Sequence, residues 1–281
     1  MVKILVDSSS DFDENEAKEY GIEMVPMEIT FGETTYLDGI NLSHKEFFEK
    51  LIESAELPKT SQINEFRFNE AFDKLTKNGD EVVAIVLSSK LSNTYNSAVK
   101  ASKNFNNKVF VVDSLNACIG ERVLIQYAVK LAKQNKSAKE IAEELNKKKQ
   151  NIKVLAVLGT LKYLRKGGRI SSIAAFTGEL LSIKPVVAVI NGEVKLVGKA
   201  LGSKKGNNLL NQEISKCGGV DFNMPYCVAY SGLSDSLLQK YITDNANIWQ
   251  HETNEIPTYM IGSTIGTHVG PDAIAVAFFK K

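Results

Sequence analysis

Hydroxyl side chains and a histidine stand close together in three short stretches of the sequence. These are PKTSQ (58–62), SSKLSNTYNSA (88–98) and GSTIGTHVGP (262–271). Thr60 and Ser61 follow a proline, which favours an extended chain. Their hydroxyls can donate to a carboxylate without bringing a full countercharge, and His268 adds a donor whose charge changes near neutral pH. The pattern predicts a site for an anion, with a carboxylate as the ligand.

Each of these residues also has an ordinary structural interpretation. A serine at a predicted strand-to-helix junction, such as Ser92, is a common helix cap. Thr60 and Ser61 taken alone fit a turn. The coincidence of several such junctions favours the anion site.

A second dense stretch is LKYLRKGGRISS (161–172). Arg165, Lys166 and Arg169 flank a glycine pair that can close a helix and turn the chain. The three cations form a compact group that can meet a phosphate or an acidic partner. The alternative is that they complement the negative end of a helix.

Common catalytic and cofactor patterns do not occur in the sequence. It has no GxGxxG or GxxxxGK[ST] phosphate loop, no HExxH and no GxSxG. The histidines (His44, His251, His268) lack ligand-like spacing, and the cysteines (Cys118, Cys217, Cys227) include no CxxC. We therefore expect no metal and no cofactor. An acyl hydrolase or transferase that uses a serine with His268 stays open as an alternative.

Composition excludes further classes of function. The 281 residues carry a net charge of +1, whereas nucleic-acid-binding proteins usually show a basic footprint. No apolar stretch reaches the roughly 18–20 residues that cross a membrane. We expect a cytoplasmic protein with reduced cysteines, a monomer by default, that makes at most a transient contact with a membrane surface.

The elements that must position these residues follow from hydrophobic patterning. Short β-branched runs end in turns rich in Ser, Asp or Asn, and helical patterns follow, which indicates an α/β sheet. Ligands bind beyond the carboxyl ends of such strands. After residue 150 the pattern changes, and Asn191-Gly192 between two apolar runs predicts an antiparallel hairpin. We predict two α/β domains, 1–150 with a mainly parallel sheet and 151–281 with a mixed or antiparallel sheet.

Seven stretches, in order along the whole chain, resemble the DegV family of bacterial fatty-acid-binding proteins, which includes the binding subunits of fatty acid kinase. They are VDSSSD (6–11), PKTSQ (58–62), LSSKLSNTYNSA (87–98), VVDS (111–114), LKYLRKGGRI (161–170), LLSIKPVVAVINGEV (180–194) and GSTIGTHVGPDAIAVAF (262–278). The resemblance implies a two-domain protein with a long-chain fatty acid buried between its domains.

The resemblance also assigns roles to residues. Thr60 and Ser92, with Ser61 and Asn93 beside them, would bind the carboxylate, and His268 would lie next to it. The acyl chain would occupy a tunnel in the C-terminal domain. A separate kinase subunit would then phosphorylate the carboxylate to an acyl phosphate for lipid metabolism, without a nucleotide site or cofactor on this chain. The cations of the 161–172 stretch (Arg165, Lys166, Arg169) would contact the phosphate or the partner.

Four positions depart from the family pattern. Asn93 and Asp272 stand where glycine is usual, and Ile63 stands where proline is usual. Ser203, with the lysines beside it, lies in a segment that commonly carries arginine. Asn93 tolerates a left-handed backbone, whereas Asp272 would either weaken anion binding or belong to the surface.

Overall fold

The computed structural model describes residues 1–170, 182–249 and 255–281. In these ranges the strands are β1 (Val2–Asp7), β2 (Ile22–Val25), β3 (Glu28–Phe31), β4 (Thr34–Leu37), β5 (Lys59–Ser61), β6 (Glu81–Val86), β7 (Val109–Asp113), β8 (Ile152–Val157), β9 (Ile183–Ile190), β10 (Glu193–Leu201), β11 (Tyr226–Tyr230), β12 (Thr258–Met260) and β13 (Ile274–Phe279). The helices are α1 (Glu14–Tyr20), α2 (His44–Glu53), α3 (Glu65–Thr76), α4 (Thr94–Ser102), α5 (Ile119–Lys133), α6 (Ala138–Lys148), α7 (Lys162–Lys166), α8 (Ser203–Lys216), α9 (Ser236–Asp244), α10 (Ala246–Trp249) and α11 (Ser263–Val269).

The first half of the chain builds a parallel sheet in the order β2-β1-β6-β7. Val82 to Val86 of β6 are all buried, as an apolar run covered by helices on both faces requires. The carboxyl ends of β1 and β6 lead into the turns that contain Ser8–Ser10 and Ser88–Asn93. The predicted parallel sheet is confirmed, and the turn at the carboxyl end of β6 carries the predicted Ser92 and Asn93.

A small antiparallel sheet, β4-β3-β5, lies beside it. Thr60 in β5 pairs with Ile29 in β3, so the extended PKTSQ stretch is a short edge strand. The sequence pattern does not predict this sheet, because β5 has three residues and pairs with a strand some thirty residues earlier.

The second half builds a six-stranded mixed sheet in the order β10-β9-β8-β13-β11-β12. Asn191 and Gly192 adopt φ values of 52° and 84° between β9 and β10, which confirms the predicted hairpin. Neighbouring strands of this six-stranded sheet run antiparallel, except that β11 and β12 are parallel. The fold class predicted from the sequence, α/β with a parallel and a mixed sheet, is confirmed.

Helix α5 joins the two larger sheets. It packs against β1 on one side and against β8, β11 and β13 on the other. The largest hydrophobic cluster accordingly contains residues of both sheets, including Leu5 of β1 and Ala277 of β13. The boundary near residue 150 stays a prediction. No helix within the described ranges combines the length and apolar character needed to span a bilayer.

Candidate functional site

The predicted hydroxyls and His268 meet at one cavity of about 300 Å³. Three elements deliver them: β5, the turn between β6 and α4, and α11. Its polar lining includes Thr60, Ser61, Gln62, Ser92, Asn93, Arg169 and His268. The structure therefore brings together all five residues predicted to bind a carboxylate. We call this space the head cavity.

His268 and Thr60 are in direct contact in the head cavity. His268 Nε2 lies 3.1 Å from Thr60 Oγ1, and its Nδ1 is buried without a partner among the described residues. Burial, followed by the nearby positive charge of Arg169, lowers the pKa of His268 to about 4. The expectation that its charge changes near neutral pH is wrong for the free protein, because the desolvated ring is neutral throughout that range.

Ser92 is held by a short relay of hydrogen bonds at the start of α4. The Thr94 backbone N–H donates to Ser92 Oγ over 3.2 Å, and the two hydroxyls lie 2.9 Å apart. Thr94 Oγ1 in turn accepts from the backbone N–H of Ile63 over 3.3 Å. When Thr94 donates to Ser92, the hydroxyl hydrogen of Ser92 is free for a ligand.

Two of the departures from the family pattern have local explanations. Ile63 is buried and uses its N–H in the bond to Thr94, a donor that proline would lack. Asn93 has φ −80°, so the left-handed backbone considered for this position does not occur. Its substitution for glycine therefore brings no backbone strain.

The other two departures lie away from the head cavity. Asp272 is exposed and has φ 63°, the left-handed conformation that glycine adopts freely. It lines a separate cavity of about 410 Å³ together with Ser203 and three lysines, Lys184, Lys204 and Lys240. The acidic group of Asp272 therefore belongs to the surface.

Two buried carboxylates position α11. Asp38 accepts from the backbone N–H groups of Ser263 and Thr264 over 3.2 and 3.1 Å and from Thr264 Oγ1 over 2.6 Å. Asp11 Oδ1 accepts from the Gly262 N–H over 2.9 Å. These bonds satisfy the free N–H groups at the start of the helix and so fix the direction in which His268 points. Sequence reasoning missed Asp38, because the residues that it caps lie more than two hundred positions away.

The three predicted cations separate in the structure. Arg169 lines the head cavity, donates from Nε to the Leu91 carbonyl over 3.3 Å and from Nη1 to the Gly167 carbonyl over 2.7 Å. Arg165 and Lys166, on α7, are exposed and are not among the residues that line it. Only Arg169 is thus positioned to act on a ligand in the head cavity.

A second, smaller cavity of about 70 Å³ adjoins the head cavity. Among the described residues its lining is alanine, valine, leucine and isoleucine, together with Cys118. Five residues line both cavities: Ala117, Leu164, Val194, Ile265 and Val269. We call this second space the tail cavity and the five shared residues the neck.

Within the described part of the chain, the surroundings of His268 differ from those of a serine hydrolase triad. Among the described residues no carboxylate orients His268 through Nδ1, and the hydroxyl that contacts its Nε2 belongs to Thr60. Nor do those residues contain a group of three or more His, Cys, Asp or Glu side chains placed to hold a metal. His251 lies outside the described residues. The geometry instead suits the binding of an amphiphile with one anionic end.

Comparison with known proteins places this geometry in a family. The model described as "Uncharacterised protein, DegV family" matches residues 1–281. The chain belongs to the DegV family. A DegV domain-containing protein from Caldanaerobacter subterraneus subsp. tengcongensis is 33% identical, and the alignment covers 100% of this chain and 99% of that protein. The DegV resemblance noted in the sequence is confirmed.

Solved DegV structures share the fold over nearly the whole chain. A DegV lipid-binding protein from Thermotoga maritima has a TM-score of 0.86 and 27% identity, covering 98% of this chain and 97% of that one. DegV, a fatty-acid-binding protein from Bacillus subtilis, has a TM-score of 0.82 and 28% identity, covering 100% and 99%. A fatty-acid-binding DegV family protein from Thermus thermophilus has a TM-score of 0.86 and 25% identity, covering 99% of both chains.

Proposed function

We propose that this chain binds a long-chain fatty acid, with the carboxylate in the head cavity and the acyl chain running through the neck into the tail cavity. The observation that carries the proposal is the contact between Thr60 and His268 in a cavity with a polar end that shares five apolar lining residues with the adjoining tail cavity. The fatty acid binding of the Bacillus subtilis and Thermus thermophilus relatives supports it.

The energetics of such a ligand match the two cavities. Burial of an acyl chain contributes about 0.8 kcal/mol per methylene, so a long chain supplies most of the affinity. The carboxylate must still be hydrogen-bonded, because a buried unpaired charge is costly. Thr60 and Ser92 offer hydroxyl donors for it, the first when His268 Nε2–H donates to Thr60 Oγ1, and Arg169 at the cavity wall adds a positive charge. We assign the carboxylate to these four residues, with Ser61 and Asn93 at the rim.

We further propose that the bound fatty acid is presented to a separate kinase, which converts the carboxylate to an acyl phosphate. The exposure of Arg165 and Lys166 on α7, next to the head cavity through Leu164, supports a contact with an acidic partner or a phosphate there. We propose that this activity takes place in the cytoplasm and serves lipid metabolism. We also propose that the chain consists of two domains with a boundary near residue 150.

Mass spectrometry of the purified protein tests the first proposal. A native mass that exceeds the denatured mass by one fatty acid, and the release of that acid on denaturation, is the expected result. A protein that carries no lipid and does not bind added C12–C18 fatty acids would reject the proposal.

Phosphorylation of the loaded protein by a fatty acid kinase subunit and ATP tests the second proposal. Lys166→Ala is the sharper variant, because Arg169 also lines the head cavity. We expect Lys166→Ala to reduce acyl-phosphate formation and to leave the Kd for the fatty acid unchanged. Unchanged phosphorylation of Lys166→Ala would show that Lys166 does not contact the kinase. A wild type that is not phosphorylated would reject the kinase role, and the proposed lipid binding would still stand.

A further inference from the structure

The tail cavity owes its space to small side chains on one face of the mixed sheet. Ala156 on β8 and Ala275 on β13 are directly paired across the sheet, and both line the cavity. Along β13 the residues on the opposite face, Ile274 and Val276, are large and belong to another core cluster. Successive side chains of a strand point to opposite faces, so the alternation in this strand places alanines under the cavity.

Three of the five neck residues lie on two helices, α7 and α11, and α11 also carries His268 into the head cavity. Ile265 and Val269 of α11 line the neck, and His268 of the same helix lines the head cavity. Residues three and four apart share a helix face, so one face of α11 serves both cavities. Leu164 of α7 completes this side of the neck, and α7 and α11 pack against each other. A fatty acid whose carboxylate contacts His268 would therefore extend past Ile265 towards Ala156 and Ala275.

We propose that the tail cavity selects ligands by acyl chain length and that Ala156 and Ala275 set this selectivity by leaving room for the last carbons of the chain. The inference rests on the proposed fatty acid binding. The head cavity accepts the carboxylate and the first part of the chain whatever its length. Only acyl chains that pass the neck bury further methylenes. Each additional buried methylene raises the affinity about fourfold.

A chain-length series tests the inference. Kd values of saturated C12, C14, C16 and C18 fatty acids are measured for the wild type and for Ala275→Val, whose added methyl groups fill part of the tail cavity. We expect the Kd of the longest chain that the wild type binds well to rise about tenfold, and the Kd of C12 to change less than about twofold.

Ala277→Val is the matched control. Ala277 lies on the same strand, two residues further along, and is equally buried, but it is not among the residues that line either cavity. It should leave the dependence of Kd on chain length unchanged.

Val187→Ala enlarges the tail cavity, which Val187 lines, whereas Ala275→Val fills it. Val187→Ala should therefore shift the optimum to longer chains. This variant also keeps the test decisive if Ala275→Val does not fold.

Two results would overturn the inference. One is a length profile that neither Ala275→Val nor Val187→Ala alters, and the other is an equal change in profile from Ala277→Val. In both cases the wild type still binds fatty acid, so the proposed function stands. A wild type that binds no member of the series would instead reject the function itself.

Discussion

Thr60 Oγ1 and His268 Nε2, from residues 208 positions apart in the chain, lie 3.1 Å from each other at the polar end of the head cavity. The contact joins the small antiparallel sheet to α11, and through α11 to the neck.

Removal of the Thr60 hydroxyl is expected to weaken fatty acid binding. Thr60→Val keeps the side-chain shape but removes a donor to the carboxylate, and a hydrogen bond to a charged group contributes about 1.5–3 kcal/mol. We expect the Kd to rise roughly tenfold or more. Titration with a fluorescent fatty acid measures it. Thr35→Val, an exposed change in the same small sheet, is the control, and an equal loss in both variants would contradict a specific role for Thr60.

His268 is expected to remain neutral in the free protein down to about pH 5. Burial and Arg169 lower its pKa to about 4, below the usual 6.5. The folded state thus binds this proton more weakly than the unfolded state. The contribution of His268 to stability is complete above pH 6.5 and is lost as the pH falls through 4, by about 3 kcal/mol in total.

The histidine ring resonances of the wild type and of His268→Gln, followed by NMR between pH 4 and 8, measure this directly. The resonance absent from the variant should not titrate above pH 5. A midpoint near 6.5 for that resonance would show that the ring is solvated and that the head cavity is open to water around it.

The buried carboxyl groups of Asp7 and Glu121 are expected to make the protein less stable as the pH rises, which is the opposite of the pH dependence that His268 contributes. Ser9 Oγ lies 2.6 Å from Asp7 Oδ1 and 3.0 Å from Glu121 Oε2, yet a hydroxyl has one hydrogen to donate. Burial raises the pKa of Asp7 to about 6 and that of Glu121 well above its usual value. Both groups favour the protonated form in the folded state, so their contribution to stability is complete below pH 4 and is lost as the pH rises through the folded pKa.

Glu121→Gln tests this effect, because the amide resembles the protonated acid. We expect the variant to unfold at a higher temperature than the wild type at pH 8 and to differ less from it at pH 5. Glu19→Gln, at an exposed position on α1, should change neither value. A lower unfolding temperature for Glu121→Gln at pH 8 would mean that the carboxylate is stabilised in its charged form.

The two adjacent glycines after α7 are expected to respond differently to alanine. A Cβ at Gly167 would overlap His268 Nδ1, although φ −76° suits any residue. Gly168 has open space around its Cα but φ 66°, where a side chain is strained. Gly167→Ala should displace His268 and weaken fatty acid binding. Gly168→Ala should cost about 1 kcal/mol of stability and leave the Kd unchanged.

Binding and thermal unfolding measured on both variants separate the two effects. If both variants bind like the wild type, the ring of His268 has room to move and Gly167 does not hold it in place.

Much of the fold was predictable from local patterns in the sequence. The apolar runs indicate buried parallel strands, and Asn191-Gly192 specifies its hairpin, because these signals depend on neighbours within a few residues. The polar residue types that line the head cavity were also predictable, because hydroxyls and one histidine stand together in three short stretches of the sequence. The small sheet that carries Thr60 was not, since its pairing partner is distant.

Tertiary structure alone decided how those residues act together. It placed Thr60 against His268, moved Arg169 to the cavity wall and left Lys166 at the surface. It also lowered the pKa of His268, because desolvation depends on what surrounds the ring and not on its neighbours in sequence. Residue types and short-range spacing determine the chemistry that this chain has available, and long-range packing determines where the chain uses it.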